Sequence, residues 1–442
     1  MKETGIVLFE LKNQIRGYAW GSLDGLKLYC GIDSSPGKPA AECWMGAHPE
    51  APSALVRSEG GVLSLRRLID LQPRRTLGDP AMLKSSELPF LFKALSAAAP
   101  LSIQVHPDKK KAALGFEREE SLGIPRASSL RTYRDPNHKP ELALALSPFR
   151  ALCGLRDMDE TALFLGPALS SMLGIQKTIR AEAYSVFLSR LLGLDAEEKK
   201  VLFREAGARA LELSKSGEPR TQEAGQTALR LAALYPGDPG ALAPLFMRLL
   251  LLQPGQALYI PPGLLHSYVE GTILEVMASS DNVVRGGLSP KHIDKEELLR
   301  VVDPEARALL LDKVTQSPAP GISLHDAGPT IETWPCPAEE FVLERIRPES
   351  RTRLVLFGGG PEILLCTEGA VRVTASEDDP TKVQNTMQKK ELCLARGGSA
   401  FIGASCTRYE IDGSGTVYRV RYPGHDGSAG SRMPNLPGSP RL

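Results

Sequence analysis

The sequence lacks both a long apolar run and a net charge of one sign. Its 53 Lys and Arg residues nearly balance its 52 Asp and Glu residues, so no overall basic field exists to collect nucleic acid or an anionic membrane. No stretch approaches the roughly 18 apolar residues of a membrane span. The apolar run from Gly5 to Phe9 is too short for the core of a signal peptide. These absences predict a cytoplasmic protein with neither a nucleic-acid nor a membrane partner.

Paired cysteines are also missing. The 7 cysteines include no CxxC pair, and an odd number of thiols scattered through a long chain argues against a disulfide framework. Each cysteine is better interpreted as a small buried hydrophobe than as a catalytic or metal-binding thiol. A structural zinc site built from thiolates is therefore not expected.

The sequence does contain enough apolar residues for several packed cores. Its 442 residues, of which 42% are hydrophobic, suffice for about three domains, which excludes a disordered or fibrous chain. The 41 glycines and 35 prolines exceed the average share and predict many turns.

The pattern of apolar and polar residues changes twice along the chain. From Leu88 to Leu152 short apolar strands alternate with turns, whereas residues 155–250 carry Ala, Leu, Glu and Lys at helical spacing. Within the helical segment, Asp195 is predicted to cap a helix with Glu198 at its third position. Short strands return after the helices, and the Gly-, Ser- and Pro-rich tail 424–442 is predicted to be a flexible end.

Side chains with metal-ligand chemistry fall on predicted strands. In the alternating hexapeptide LSIQVH, Gln104 and His106 share one face of a strand. Glu141 begins a further strand directly after Pro140, which is tolerated at a strand start. A third segment has the order Gly, five residues, Pro, one residue, Gly, two residues, His266. This spacing resembles the second signature of the cupin superfamily.

The cupin resemblance implies a fold and a metal pocket. Cupins are jelly rolls in which histidines and a carboxylate on facing strands hold a metal inside the barrel. The implied N and O donors suit zinc without excluding manganese, iron or cobalt. The implied ligands are Gln104, His106, Glu141 and His266. Because Glu141 and His266 are too distant in sequence for neighbouring strands of one small barrel, the helices between them are interpreted as an insertion.

The predicted fold class is mainly β, with two cupin jelly-roll barrels and an α-helical domain inserted in the first. The spacing of Gly397–Arg408 is similar to that of Gly255–His266 and places Arg408 where the ligand histidine stands, which predicts a second barrel without metal. The predicted bounds are 1–154 and 251–325 for the two parts of the catalytic barrel, 155–250 for the helical insert, 326–423 for the metal-free barrel and 424–442 for the tail.

Separated motifs, in the same order over nearly the whole chain, resemble the type I phosphomannose isomerase (mannose-6-phosphate isomerase) family. The motifs are YAWG, AECWMGAHP, LPFLFKAL with QVHPDK, NHKPE, YPGDPGALAPLF, IPPGLLHSYVEG and SDNVVRGGLSPK. The resemblance implies interconversion of mannose 6-phosphate and fructose 6-phosphate through an enediolate, with one zinc ion per chain held by the four residues named above. A small-molecule sugar phosphate is then the partner, and the protein is expected to be a monomer.

The resemblance also implies roles for individual residues. The family's catalytic arginine matches Arg285, which is expected to stabilise negative charge and not to act as a base. Lys139 ranks first and Glu275 second for proton transfer. Alternatively, Glu275 only orients Lys139 or Arg285, and His138 is either a further base candidate or a hydrogen-bond donor behind the ligands. The candidate substrate contacts are Ser102, Lys93, Lys291, His138 and Asp281.

Other function classes fit the residues less well. An iron-dependent cupin dioxygenase would use a similar barrel, but such sites usually supply three histidines, and Gln104 replaces one here. A cupin that only binds sugar or regulates transcription is disfavoured, because no helix-turn-helix or basic segment is evident and Arg285 and Lys139 are present. A fused nucleotidyltransferase is disfavoured because no Gly-rich phosphate loop opens the chain.

Overall fold

The computed structural model describes residues 5, 7–56, 62–175, 183–291, 293–316, 330–348, 353–376 and 389–423. Within these residues the protein is mainly β with some helices, and its strands fall into two groups. No helix in this part of the chain combines the length and the hydrophobicity needed to cross a bilayer. The predicted flexible tail, 424–442, lies outside the described residues.

The elements follow the predicted order of strands, helices and strands. Up to the helical segment they are β1 (Leu8–Lys12), β2 (Gln14–Arg16), α1 (Gly25–Cys30), β3 (Glu42–Met45), β4 (Ala54–Leu55), β5 (Leu63–Ser64), α2 (Leu65–Leu71), α3 (Pro73–Thr76), α4 (Pro80–Ser85), β6 (Phe90–Ala97), β7 (Ile103–Val105), α5 (Lys109–Ser121), β8 (Glu141–Ala145) and β9 (Phe149–Leu155). The helical segment holds α6 (Met158–Met172), α7 (Ala183–Gly193), α8 (Ala196–Leu213), α9 (Pro219–Leu234), a 3-10 helix (Pro239–Leu242) and α10 (Ala243–Phe246).

Strands return after the helical segment. They are β10 (Met247–Leu252), β11 (Ala257–Ile260), β12 (His266–Ala278), β13 (Val284–Gly287), β14 (Leu309–Leu311), β15 (Val314–Gln316), β16 (Thr330–Trp334), β17 (Val342–Arg347), β18 (Leu354–Phe357), β19 (Glu362–Ser376), β20 (Lys389–Ala395), β21 (Ser399–Ile402) and β22 (Arg408–Arg421), with α11 (Lys295–Val301) after β13.

The long strand β12 organises the first group of strands. Its carboxy-terminal part, from Gly271 onward, pairs with β6 and β8, whereas its first residues pair with β7 and β9. The change of partners falls at Gly271, whose φ of +117° and whose contact with the backbone of Pro148 leave no room for a Cβ atom. The single strand β12 thereby pairs with two different sets of strands. β13 joins the group by pairing with β7.

The helical segment begins and ends at this group of strands. They lie between β9 and β10, which pair with each other in antiparallel register from Leu155 with Met247 to Phe149 with Leu252. The predicted cap of α8 is confirmed, because Asp195 and Glu198 form a capping box at its start. The helices pack their apolar faces into a common core with Val105 of β7 and Val284 of β13.

The second group of strands lies towards the end of the chain, but it also includes the first strand. Its order is β15-β16-β17-β22-β19-β21-β1-β4-β5, with β18 on β22 and β20 on β19. Leu8 of β1 pairs with Ile402 of β21, so the amino-terminal end of the chain ties the two groups together. The predicted domain bounds stay a prediction.

Candidate metal centre and active-site cleft

Three side chains from separate parts of the sequence meet inside the first group of strands. His106 follows β7, Glu141 begins β8 and His266 begins β12. Their possible ligand atoms all lie within 4.8 Å of one another, and the three residues are at most 2% exposed. The structure thus brings together three of the four predicted ligands at one buried point.

The geometry of these three residues fits a metal ion. His106 Nε2 lies 3.3 Å from Glu141 Oε1, and His266 Nε2 lies 3.2 Å from Glu141 Oε2. Within the described part of the chain, both Nε2 atoms and Glu141 Oε2 are buried without a hydrogen-bond partner. Buried polar atoms almost always have a hydrogen-bond partner. Three unpaired N and O atoms that face one another therefore indicate a site for a divalent cation.

Hydrogen bonds at the far side of each ring fix the histidine tautomers. His106 Nδ1 lies 2.7 Å from the carbonyl oxygen of Asn282, and His266 Nδ1 lies 3.0 Å from that of Leu264. A carbonyl oxygen can only accept, so each Nδ1 carries the proton and donates it. The Nε2 lone pairs are left free to face the cluster, as a metal-binding imidazole requires.

The electrostatics keep the cluster in the protonation state that binds a cation. Burial, helped by the Lys139 cation, lowers the pKa of His106 to about 4. Burial opposes the ionisation of Glu141, but the neighbouring His106 and Lys139 outweigh it and lower the pKa of Glu141 well below its usual range. Near neutral pH the imidazole is therefore neutral and the carboxylate is charged.

The lowered pKa of His106 predicts acid sensitivity of the metal-free protein. An unfolded histidine has a pKa of about 6.5, so between pH 6.5 and 4 the unfolded chain binds a proton that the folded protein does not. We expect the free energy of unfolding in urea to be lower at pH 5 than at pH 7, with a contribution from His106 of about 2 kcal/mol. The variant His106→Gln should lose that part of the difference. An unchanged pH dependence in the variant would contradict the assignment.

Gln104, the fourth predicted ligand, lies beside the cluster. In the strand register it stands opposite His266 of β12 on one side and Arg285 of β13 on the other. It is half-buried and lines the same cleft as Glu141. Its part in binding a metal stays a prediction.

A cleft of about 600 Å³ opens onto the cluster. Glu141 lines this cleft, as do the aromatic residues Tyr18, Trp20 and Trp44. The predicted site residues that line it are Gln104, Glu141, Arg285, Lys139, Glu275, Ser102, Lys93, Lys291 and Asp281. Most of the predicted site therefore shares one cavity.

His138 does not belong with these residues. Its Nε2 lies 2.6 Å from Oε1 of Glu340, and it is not among the described residues that line the cleft. Glu340, this hydrogen-bond partner, comes from a distant part of the sequence. The predicted substrate contact of His138 stays a prediction.

Lys93 and Glu275 form a buried pair across β6 and β12. Lys93 Nζ lies 2.9 Å from Glu275 Oε2 and 3.9 Å from Glu42 Oε1. Burial alone would lower the pKa of Lys93, but the two carboxylates outweigh it and raise that pKa. The pKa of Glu275 is also raised, because burial and the charge of Glu141 together exceed the effect of Lys93. The charge of Lys93 is thus already compensated within the protein.

The opposite situation holds for Arg285 and Lys291. Among the described residues, no carboxylate lies within ion-pair distance of the half-buried Arg285, and Lys291 likewise has none. Burial and the nearby Arg134 lower the pKa of Arg285, while burial, Arg285 and Arg134 lower the pKa of Lys291. Positive charge without a partner accumulates at this edge of the cleft, which suits an anionic ligand.

Two residues of the site were not predicted from the sequence. Tyr268 is buried against Phe149 and lines the cleft two positions after His266, on the same strand. The strand alternation that paired Gln104 with His106 would have found it. Asn282 is fully buried, and its side-chain amide donates to the carbonyl oxygens of Asp135 and Asn137. No local pattern marks it.

Sequence comparisons extend over nearly the whole chain. Residues 8–158 match the family model for the phosphomannose isomerase type I catalytic domain. Mannose-6-phosphate isomerase of Escherichia coli strain K12 is 36% identical over 415 residues, covering 93% of this chain and 98% of that protein. The human mannose-6-phosphate isomerase is 31% identical, covering 90% of this chain and 94% of that protein.

Solved structures agree with the sequence comparison. A crystal structure of zinc-bound mannose 6-phosphate isomerase superposes with a TM-score of 0.80 at 35% identity, covering 94% of this chain and 99% of that one. A variant of phosphomannose isomerase from Salmonella typhimurium reaches a TM-score of 0.81 at 34% identity with the same coverage. Sequence and fold therefore agree that the chain belongs to the type I phosphomannose isomerase family.

Proposed function

We propose that the protein is a zinc-dependent isomerase that interconverts mannose 6-phosphate and fructose 6-phosphate. One observation carries the proposal: a buried His-Glu-His cluster with unsatisfied ligand atoms opens onto a cleft whose edge carries the uncompensated cations Arg285 and Lys291. The relatives named above are isomerases of this substrate, and related structures hold zinc.

The zinc site would consist of His106, Glu141 and His266, with Gln104 as fourth ligand. The donor set suits zinc because it combines neutral imidazoles with one carboxylate. When bound, the ion supplies Lewis-acid chemistry that polarises oxygen atoms of the sugar. The carbonyl acceptors behind His106 and His266 keep both rings in the orientation that this requires.

Arg285 is the group that meets negative charge developing on the sugar. Moving hydrogen between C1 and C2 produces an enediolate, which needs a fixed positive partner. Arg285 lies opposite Gln104 in the strand register and lines the cleft. Because no carboxylate in the described structure competes for it, its guanidinium can donate to the substrate.

Proton transfer is assigned first to Lys139 and second to Glu275. Both line the cleft, and Lys139 Nζ lies 3.2 Å from Glu141 Oε1, beside the metal centre. Glu275 has a raised pKa, which brings it closer to the range in which a carboxyl group exchanges protons. Its ion pair with Lys93 also supports the alternative that it orients other groups.

The remaining substrate contacts are divided between the phosphate and the hydroxyl groups. Lys291 and Ser102 line the cleft near Arg285 and would bind the phosphate. Asp281 also lines the cleft, and His48 Nε2 lies 3.1 Å from its Oδ1. Burial opposes the ionisation of Asp281, but His48 outweighs it and lowers the pKa of that carboxyl. An ionised Asp281 would accept a hydrogen bond from a sugar hydroxyl.

We further propose that each group of strands is a cupin barrel and that the helices are inserted in the first. The pairing of β9 with β10 on either side of the helices supports the insertion. Two long strands that begin at corresponding positions support the repeat, since β12 starts at His266 and β22 starts at Arg408. A monomer acting in the cytoplasm completes the proposal.

The proposed function is tested by following sugar phosphates with NMR. The purified zinc-loaded protein should convert mannose 6-phosphate to fructose 6-phosphate until equilibrium is reached. Unphosphorylated mannose should be converted far more slowly, because it lacks the phosphate that Lys291 and Ser102 would bind. If mannose 6-phosphate is left unconverted, the proposed function is wrong.

A further inference from the structure

The loop that follows β13 holds an unusual backbone conformation. Leu288 has a φ of +52° and is 2% exposed. A bulky residue rarely adopts this left-handed conformation, and a strained residue persists only where its surroundings fix it. Leu288, Ser289, Pro290 and Lys291 all line the cleft, so the strain lies in the segment that presents Lys291 to the cavity.

The group that fixes this loop comes from the helical segment. Asp238, which precedes the 3-10 helix, accepts hydrogen bonds through both carboxylate oxygens. Oδ1 accepts from the backbone N–H of Gly240 at 2.8 Å, and Oδ2 accepts from that of Ser289 at 3.3 Å. One side chain therefore joins the end of the helical segment to the residue that follows the strained Leu288.

The two backbones also touch directly. A Cβ atom on Gly240 would lie 3.0 Å from Gly287 Cα and 3.0 Å from the backbone nitrogen of Leu288. A Cβ on Gly287 would lie 2.9 Å from Gly240 Cα. Real Cβ atoms essentially never approach to 2.9 Å, so Gly287 cannot carry one without a shift, and at Gly240 a Cβ would force the neighbouring backbone to move by a few tenths of an ångström. The contact adjoins the Asp238 carboxylate, since a Cβ on Gly240 would also lie 3.0 Å from Asp238 Oδ1, and it acts on the same loop.

The helical segment reaches the cleft at a second point. The Tyr235 hydroxyl donates to the carbonyl oxygen of Pro100 at 2.8 Å. Leu234 and Tyr235 line the cleft together with Pro100 and Ser102. The end of the helical segment thus contacts both the residues just before β7, which include Ser102, and the loop that carries Lys291.

We propose that the helical segment is a clamp that positions the Lys291 loop, and that Asp238 is its positioning residue. Asp238 itself lies outside the cleft lining and would act only through the loop. The clamp holds Leu288 in its left-handed conformation, which directs Lys291 towards the phosphate of the substrate. This last step rests on the proposed function, since it requires a phosphorylated ligand.

Two variants weaken the clamp by different means. Asp238→Ala removes the acceptor of the Ser289 N–H, and Gly240→Ala pushes the two backbones apart. The matched control is Asp195→Ala, which removes another aspartate that accepts a backbone N–H within the helical segment, at the start of α8. The zinc content and the melting temperature of each variant are measured first, so that misfolding is recognised.

The expected kinetic signature is a change in KM without a matching change in kcat. In Asp238→Ala and Gly240→Ala the KM for mannose 6-phosphate should rise about tenfold, the factor expected when one charged contact is misplaced, while kcat changes by less than about twofold. Hydrogen exchange of peptides covering residues 286–291 should accelerate in both variants. Asp195→Ala should alter neither quantity.

A direct binding measurement separates this inference from the proposed function. The affinity of the zinc-loaded protein for inorganic phosphate, measured by calorimetry, should weaken several-fold in Asp238→Ala and stay unchanged in Asp195→Ala. If the wild-type protein converts no mannose 6-phosphate, the proposed function fails, while phosphate affinity and loop exchange still decide the clamp. Unchanged loop exchange, or an unchanged phosphate affinity in both clamp variants, would overturn the clamp.

Discussion

Replacing Arg285 by alanine is expected to lower kcat/KM for mannose 6-phosphate by about 10³-fold, while zinc stays bound and the protein stays folded. The guanidinium is half-buried and has no carboxylate partner within the described residues, so its charge serves no visible structural purpose. Burial and repulsion from Arg134 both disfavour the charged guanidinium, as its lowered pKa shows. Replacing Arg285 by alanine removes both unfavourable contributions. The measurement is steady-state turnover, with zinc content and melting temperature determined on the same preparation.

Two further variants sharpen the Arg285 experiment. Arg285→Lys keeps a positive charge but loses the planar fork of donors, so we expect an intermediate loss. Arg204→Ala is the matched control, because Arg204 is largely exposed on α8 and pairs with its neighbour Glu205; it should behave as wild type. Turnover of Arg285→Ala within tenfold of wild type would show that another group stabilises the negative charge.

Replacing Glu141 by glutamine is expected to abolish zinc binding and lower turnover by more than about 10³-fold. The substitution keeps the shape of the side chain and removes the only charge in the ligand set. It also leaves the buried Lys139, now 3.2 Å from Glu141 Oε1, without its counter-ion. Breaking a buried ion pair in this way costs about 3 kcal/mol, so the free energy of unfolding should fall as well.

A control variant separates the loss of zinc from the loss of stability. Glu344 is also buried and accepts hydrogen bonds from Arg419 at 2.6 Å and Arg421 at 3.1 Å, in the second group of strands. Glu344→Gln should destabilise the protein by a similar amount and retain zinc and turnover at temperatures where it is folded. If Glu141→Gln keeps one zinc ion per chain by atomic absorption, Glu141 has been misassigned as a ligand.

The sequence was most informative where the pattern that determines the structure spans only a few neighbouring residues. Alternation in LSIQVH placed Gln104 and His106 on one strand face, and Pro140 marked the start of the strand that begins at Glu141. The structure bears out the strands and the meeting of His106, Glu141 and His266. The α8 cap was predictable for the same reason, since a capping box spans only four residues.

Partners that are distant in sequence could not be predicted. The ion pair of Lys93 with Glu275 forms because β6 and β12 bring the two residues opposite each other, while the predicted substrate contact of Lys93 stays a prediction. The hydrogen-bond partner of His138 is Glu340, which lies 202 positions away in the sequence. The left-handed conformation of Leu288 is likewise imposed by residues of another segment. Such features depend on tertiary packing, which no local pattern encodes.

We propose that this chain isomerises mannose 6-phosphate at a zinc ion held by the His106–Glu141–His266 cluster. The most direct measurement is formation of fructose 6-phosphate by protein that has been dialysed against a chelator and then titrated with zinc. We predict no turnover without metal and full recovery when one zinc ion per chain has been added. Turnover by metal-free protein at the rate of the zinc-loaded protein would contradict the claim.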